Sequence, residues 1–177
     1  MPYATVRSAE DARAGKEGHR IYYRLFPEEA AAAAEDGGAH ADRPRVLLLM
    51  GMGGTHSYWR PQVEHLAQRC RVCAVDNRGT GYSAAPAGEL RWTTGRMARD
   101  ALAVLTELGW HQGVHVIGIS MGGMIAQELA LADPERVASL SLLATYASAV
   151  GALPAFGAMA DLAISTGMLG SSAKDRE

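Results

Sequence analysis

Four short apolar runs, spaced by stretches with helical periodicity, constrain the architecture of this chain more than any other feature of its sequence. Val46-Leu47-Leu48-Leu49-Met50 is uninterrupted, the mark of a strand buried on both faces. Val72 to Val75 ends at Asp76, Val114 to Ile119 runs into a serine, and Val137 to Leu143 supplies the last clear strand. Between the first two, Ser57 to Arg69 has Pro61 near a helix start and Val63, Leu66 and Ala67 as an apolar stripe. Between the second and third, Met97, Ala101, Leu102, Val104, Leu105 and Leu108 recur at three and four, with Thr93 or Thr94 as cap and Gly109 as stop. A helix from Ser120 to about Ala132 precedes the fourth. Strands that alternate with helices predict an α/β fold with a doubly wound, mostly parallel sheet. Such sheets build their sites at the C-terminal ends of the strands. Three loops therefore matter: 50 to 57, 76 to 83 and 118 to 122.

Ahead of this pattern, Tyr3 to Arg7 and His19 to Leu25 read as two further short strands. The acidic, Ala-rich segment from about 27 to 44 reads as a surface insertion, with a short helix at Glu28 to Glu35. With 177 residues, 48% of them hydrophobic, the chain holds enough apolar mass for one core. Its net charge of −2 offers no positive field for nucleic acid or an anionic membrane. Cys70 and Cys73 form a CxxC, but one entering a strand rather than a helix, and structural zinc usually takes four ligands. They are expected to be ordinary core thiols, and no metal or cofactor is expected. The N-terminus lacks the apolar segment of a secretory signal, which points to the cytoplasm. Val137 to Ala160 carries no charge over 24 residues, long enough to span a bilayer. Its Ser139, Ser141, Thr145, Ser148 and Pro154 favour a buried strand followed by a packed helix instead.

The loop with the clearest chemistry is Gly118-Ile119-Ser120-Met121-Gly122, a G-x-S-x-G between strand and helix. Its glycines permit a tight turn that lifts the serine hydroxyl above the sheet, at a helix N-terminus where developing negative charge is favoured. In the 50–57 loop, the Met52 N–H can pair with that of Met121 as two oxyanion donors. The same loop fails as a phosphate cradle. His56 stands where a dinucleotide fingerprint needs its third glycine, and no GK[ST] follows.

Met50 to Gly54, the D-x-R-G-x-G-x-S run from Asp76 to Ser83, and Gly118 to Gly123 occur in the order and spacing of a known superfamily. From about residue 3 to 146 the chain resembles the N-terminal part of an α/β-hydrolase fold protein, of the kind found among esterases, lipases and enol-lactonases. The resemblance implies Ser120 as nucleophile and Met52 and Met121 as backbone oxyanion donors. It also implies a site-shaping role for Gly51, Gly53, Asp76, Arg78, Gly79, Gly118 and Gly122. Met50 stands where relatives often carry histidine, and the H-G-G-G form of the loop is absent. Asp76 and Arg78 are expected to tie loops together rather than to react.

Family order places the acid and then the histidine after the serine. All six histidines precede Ser120, and the downstream aspartates, Asp133, Asp161 and Asp175, occupy no recognisable acid loop. His56 is the one nearby candidate base, and it would need an acid of its own; a loop or substrate-pocket role suits it better. The expectation is a hydrolase core truncated before its last strands, with residues 147–177 opening a cap. It would be a serine hydrolase of ester, lactone or related carbonyl substrates by resemblance, inactive or severely impaired as it stands. The alternative is a non-catalytic hydrolase-like fragment that binds a partner or small molecule. Self-association through an exposed sheet edge is expected in either case.

Overall fold

The computed structural model describes residues 3–6, 18–27, 42–84 and 92–147. The chain divides into two units, Met1–Thr145 and Tyr146–Glu177, and the described residues lie almost wholly in the first. The expected helix at 28–35, most of the 27–44 insertion and all but the first residue of the 147–177 cap region lie outside them.

The described residues of the first unit form six strands: β1 (Tyr3–Val6), β2 (His19–Phe26), β3 (Arg45–Leu49), β4 (Arg71–Val75), β5 (Val114–Ile119) and β6 (Val137–Leu143). They also form three α-helices, α1 (Arg60–Leu66), α2 (Thr94–Glu107) and α3 (Met121–Ala132). Short 3₁₀ turns at His56–Trp59 and Pro134–Arg136 lead into α1 and β6. All six strands join one sheet in the order β1-β2-β4-β3-β5-β6. β1 and β2 pair antiparallel, as do β2 and β4, and the remaining pairs are parallel.

Period-two alternation in the strands explains why helices cover both faces. In β3, Leu47 and Leu49 join a cluster with Cys73, Val75 and Val116 beneath α2 and α3. Val46 and Leu48 turn the other way and meet Val72, Ala74, Trp59 and Val63 beneath α1. Each such buried aliphatic side chain contributes about 1.5–3 kcal/mol relative to exposure. Helix α2 begins where Thr93 Oγ1 accepts the Arg96 N–H at 3.3 Å. It ends in a Schellman arrangement: Gly109 takes φ 65°, and the Trp110 N–H donates to Leu105 C=O at 2.8 Å. Between these limits Met97, Ala101, Val104 and Leu105 form its buried stripe. The CxxC behaves as expected of core thiols. Cys73 is fully buried inside β4, Cys70 is partly buried, and both are free.

One expectation needs correction. Val137–Leu143 forms a strand, but not a buried one: β6 is last in the sheet order, and Leu140, Leu142 and Leu143 are each about 40% exposed. Among the described residues only β5 pairs with it, so the strand is the exposed sheet edge expected from the sequence, and only its burial was overestimated. No helix of the described residues is long and apolar enough to cross a membrane.

Candidate active site

Ser120 stands at the turn from β5 into α3 with φ 54° and ψ −123°. Left-handed backbone is costly for a residue with a Cβ, by about 1–3 kcal/mol, so the surroundings must hold it there. Its N–H donates to Leu143 C=O at 2.9 Å. Its C=O accepts from the Gly123 N–H at 3.0 Å and the Thr145 hydroxyl at 2.7 Å. The turn also needs room. A Cβ on Gly122 would run into the Leu49 carbonyl, and one on Gly118 into that of Gly122. Small residues therefore let α3 start directly against the end of β3, as the G-x-S-x-G pattern requires.

The 50–57 loop comes to the same place. A Cβ built on Gly51 would sit 3.2 Å from Ser120 Cβ and 3.7 Å from its Oγ, so the Gly51 backbone lies beside the serine. The Gly54 N–H closes a turn on Gly51 C=O at 3.2 Å, and Gly53 takes φ 72° within it. Met121 opens α3, where a backbone N–H has no helical acceptor four residues back. No described residue accepts from the N–H of Met52 or Met121.

The 76–83 loop fastens these parts. Asp76 is fully buried, and its Oδ1 accepts from the His56 backbone N–H at 2.6 Å and from His56 Nδ1 at 2.9 Å. Its Oδ2 accepts the Tyr82 N–H at 3.0 Å. Asn77 Nδ2 donates to Met50 C=O at 2.9 Å, one residue before the glycine loop. Arg78 reaches away, to Asp100 of α2, through a bidentate pair with both contacts at 2.7 Å. His19 Nε2 approaches the same carboxylate at 3.1 Å. Gly79 takes φ 73° with the Trp92 ring packed over it.

Sequence motifs located Asp76 and Arg78, but not their partners. Pairings 20 and 22 residues apart leave no local signal, and only the closing of the sheet creates them. The acid that His56 needed is present, and the pair packs against the β2 side of the sheet. The His56 ring packs on Tyr22 of β2 at 5.0 Å between centroids, and Asp76 follows β4. These strands lie three and two places from β5, about 10–14 Å at the usual strand spacing. Of the other described histidines, His19 serves Asp100 and His115 contacts Ser139 Oγ at 2.8 Å. Among the described residues no cluster of His, Cys, Asp or Glu could hold a metal.

The profile of the alpha/beta hydrolase fold matches residues 44–176, three quarters of the chain. The chain belongs to the α/β-hydrolase fold family. Over 114 residues it is 45% identical to "Putative carbamate hydrolase RutD" of Azorhizobium caulinodans, a match covering 64% of this chain and 42% of that relative. The protein of that name from Caulobacter vibrioides is 41% identical over 104 residues, covering 59% of this chain and 38% of the relative. Among solved structures, the enol-lactonase from Burkholderia xenovorans superposes with a TM-score of 0.63 at 30% identity, over 81% of this chain and 46% of that one. A hydrolase from Pseudomonas aeruginosa gives 0.62 at 29%, again over 81% of this chain and 46% of its own. The matched region thus spans about two fifths of these curated relatives and somewhat under half of the solved chains.

Proposed function

We propose that the protein is a serine hydrolase in which Ser120 attacks a carbonyl carbon of an ester, lactone or carbamate. The oxygen of the tetrahedral intermediate would be held by the backbone N–H groups of Met52 and Met121. The observation that carries this proposal is the left-handed Ser120 packed against the Gly51 backbone, with two amides left without a described acceptor. Backbone strain of this kind persists where the surroundings over-determine it, and function is one reason they do so. The family's carbonyl chemistry supports the substrate class, as do the printed names of a carbamate hydrolase and an enol-lactonase among its relatives. Each oxyanion donor is worth about 3 kcal/mol where one has been removed.

No described histidine hydrogen-bonds the Ser120 hydroxyl. We therefore expect this chain alone to turn over several powers of ten more slowly than a complete triad, with binding and the oxyanion donors supplying what rate remains. A fluorophosphonate probe on the purified chain is the test. Stoichiometric labelling that disappears in Ser120→Ala supports an activated serine, and labelling that persists in that variant overturns the assignment. A second proposal, a non-catalytic module that binds a partner, draws on the exposed leucines of β6. It is favoured if the chain neither labels nor hydrolyses p-nitrophenyl acetate above the Ser120→Ala background.

A further inference from the structure

We infer that the protein carries a second small-molecule site, at the end of the sheet remote from Ser120, where Arg45 and Arg71 hold the phosphoryl group of a small phosphate monoester. Arg45 opens β3 and Arg71 opens β4, and the two are Cα partners across parallel strands. Such partners point the same way, here to the face that Leu47 and Cys73 occupy two residues further on. Arg45 also pairs in register with Val114. Ser120 lies six residues beyond Val114, just past the end of β5, which is about 20 Å at the usual rise. The site is therefore distinct from the elbow.

The arrangement of charge sets the ligand. Arg71 is only 8% exposed, yet no described residue gives its guanidinium a hydrogen bond or a carboxylate. It lies over the Trp110 ring, 5.5 Å from Cζ to the ring centre. It contributes nothing to the fully enclosed polar atoms that lack a partner, so its nitrogens keep an edge that a ligand can reach. The Trp110 indole N–H beside it is enclosed and has no acceptor, so donors exceed acceptors here. Arg45 donates from Nη1 to Gln112 C=O at 3.0 Å, a neutral partner that leaves its charge uncompensated. Among the described residues neither arginine forms an ion pair, and Glu107 at the end of α2 reaches neither. Arg43 and Arg69, each two residues ahead, add like charge against only the exposed Asp42 in the same approaches.

Like charges opposite one another on neighbouring strands are destabilising. Burial, and next the charge of Arg45, push the Arg71 guanidinium below its ordinary value, and no carboxylate offsets them. Arginine stays protonated all the same, so an anion between the two relieves both costs. A phosphate monoester brings about two negative charges and three acceptor oxygens. It therefore matches two guanidinium forks better than a carboxylate does.

The probe is phenyl phosphate, titrated into the full chain at fixed ionic strength and followed by the Arg71 Nε–H and Trp110 indole N–H resonances. Saturable shifts centred on these two groups are expected. Phenylsulfonate, a monoanion of the same outline, should bind about fivefold or more weakly. Arg71→Met keeps an apolar stem over Trp110 and removes the charge, while Arg45→Gln keeps a donor for Gln112 C=O. Each should weaken phenyl phosphate by about tenfold or more. Ser120→Ala should bind it as the parent does, which separates this site from the hydrolase proposal. Equal binding of phosphate and sulfonate, an unchanged affinity in Arg45→Gln, or shifts centred on the 118–122 loop would overturn the inference. Tighter binding of an oligothymidine or of phosphatidic acid vesicles would do so too, by making the arginines a macromolecular surface. If Arg71→Met does not fold, Arg45→Gln and phenylsulfonate decide it.

Discussion

Ser120 holds a conformation that suits glycine better than serine, and two substitutions isolate its cost. Ser120→Ala and Ser120→Gly both remove the hydroxyl, but only glycine relaxes the φ of 54°. We expect the glycine variant to be the more stable of the two by about 1 kcal/mol in urea unfolding, because strain relief outweighs the added freedom of its unfolded chain. Equal stabilities would mean the turn is unstrained. Cys73 gives a second prediction. Burial raises its thiol far above the ordinary range. The unfolded chain releases this proton above its ordinary value, about 8.5, while the folded chain retains it. Below that value the contribution is fully present, and it is lost as pH rises from there toward the folded value. Stability should fall between pH 8.5 and 10 with a slope approaching about 1.4 kcal/mol per pH unit from this one group. Cys73→Ala should lose that slope, even though its cavity lowers stability at every pH. The residue types in the G-x-S-x-G run announce the tight turn in advance. The φ of Ser120 and the approach of Gly51 depend on where β3 lies relative to β5.

Elements are held in register by buried polar ties as much as by the apolar faces. Helix α2 is fastened to the 76–83 loop by Arg78 and Asp100, both about 5% exposed or less, with His19 of β2 on the same carboxylate. Removing one partner of a buried pair leaves the other charged and unpaired, which costs about 3–5 kcal/mol. Asp100→Ala should fall in that range. The double variant Arg78→Met with Asp100→Leu should recover much of the loss, since neither charge is then stranded. If the double variant is as unstable as the sum of the single ones, the pair is not what holds α2. Helical spacing identified α2 and its apolar stripe from sequence. It could not identify Asp100, because an acid at one position of an amphipathic helix ordinarily faces water, and only the inward reach of Arg78 makes this one interior.

At the scale of the whole molecule the sheet is covered unevenly. Strands β3 and β4 are enclosed on both faces, whereas β6 is exposed along most of its length, with uncharged leucines open to solvent. Strand edges of that composition template association. Amide hydrogen exchange at low concentration should show the strongest protection in Val46 to Leu49 and Val114 to Ile119, with markedly faster exchange in Val137 to Leu143. Sedimentation over a hundredfold concentration range should show self-association, and charged substitutions at Leu140 and Leu142 should suppress it. A strict monomer with uniform protection would refute the exposed-edge account.

Local rules made the alternation of strands and helices, a cap at Thr93 or Thr94, the stop at Gly109 and the tight G-x-S-x-G turn legible from residues alone. Each depends on spacing within a few positions, on the backbone demands of glycine, or on a β-period or α-period pattern. Strand order, by contrast, is a choice among pairings that local pattern leaves equivalent. The uncharged run at 137–143 could thus be assigned as a strand from local pattern, while its place at the edge was expected only from the family resemblance. The same choice brings Gly51 against Ser120 and joins His56 to Asp76 across 20 residues. These contacts cross from one element to another, and hydrogen bonds between distant residues arise only when the chain closes on itself.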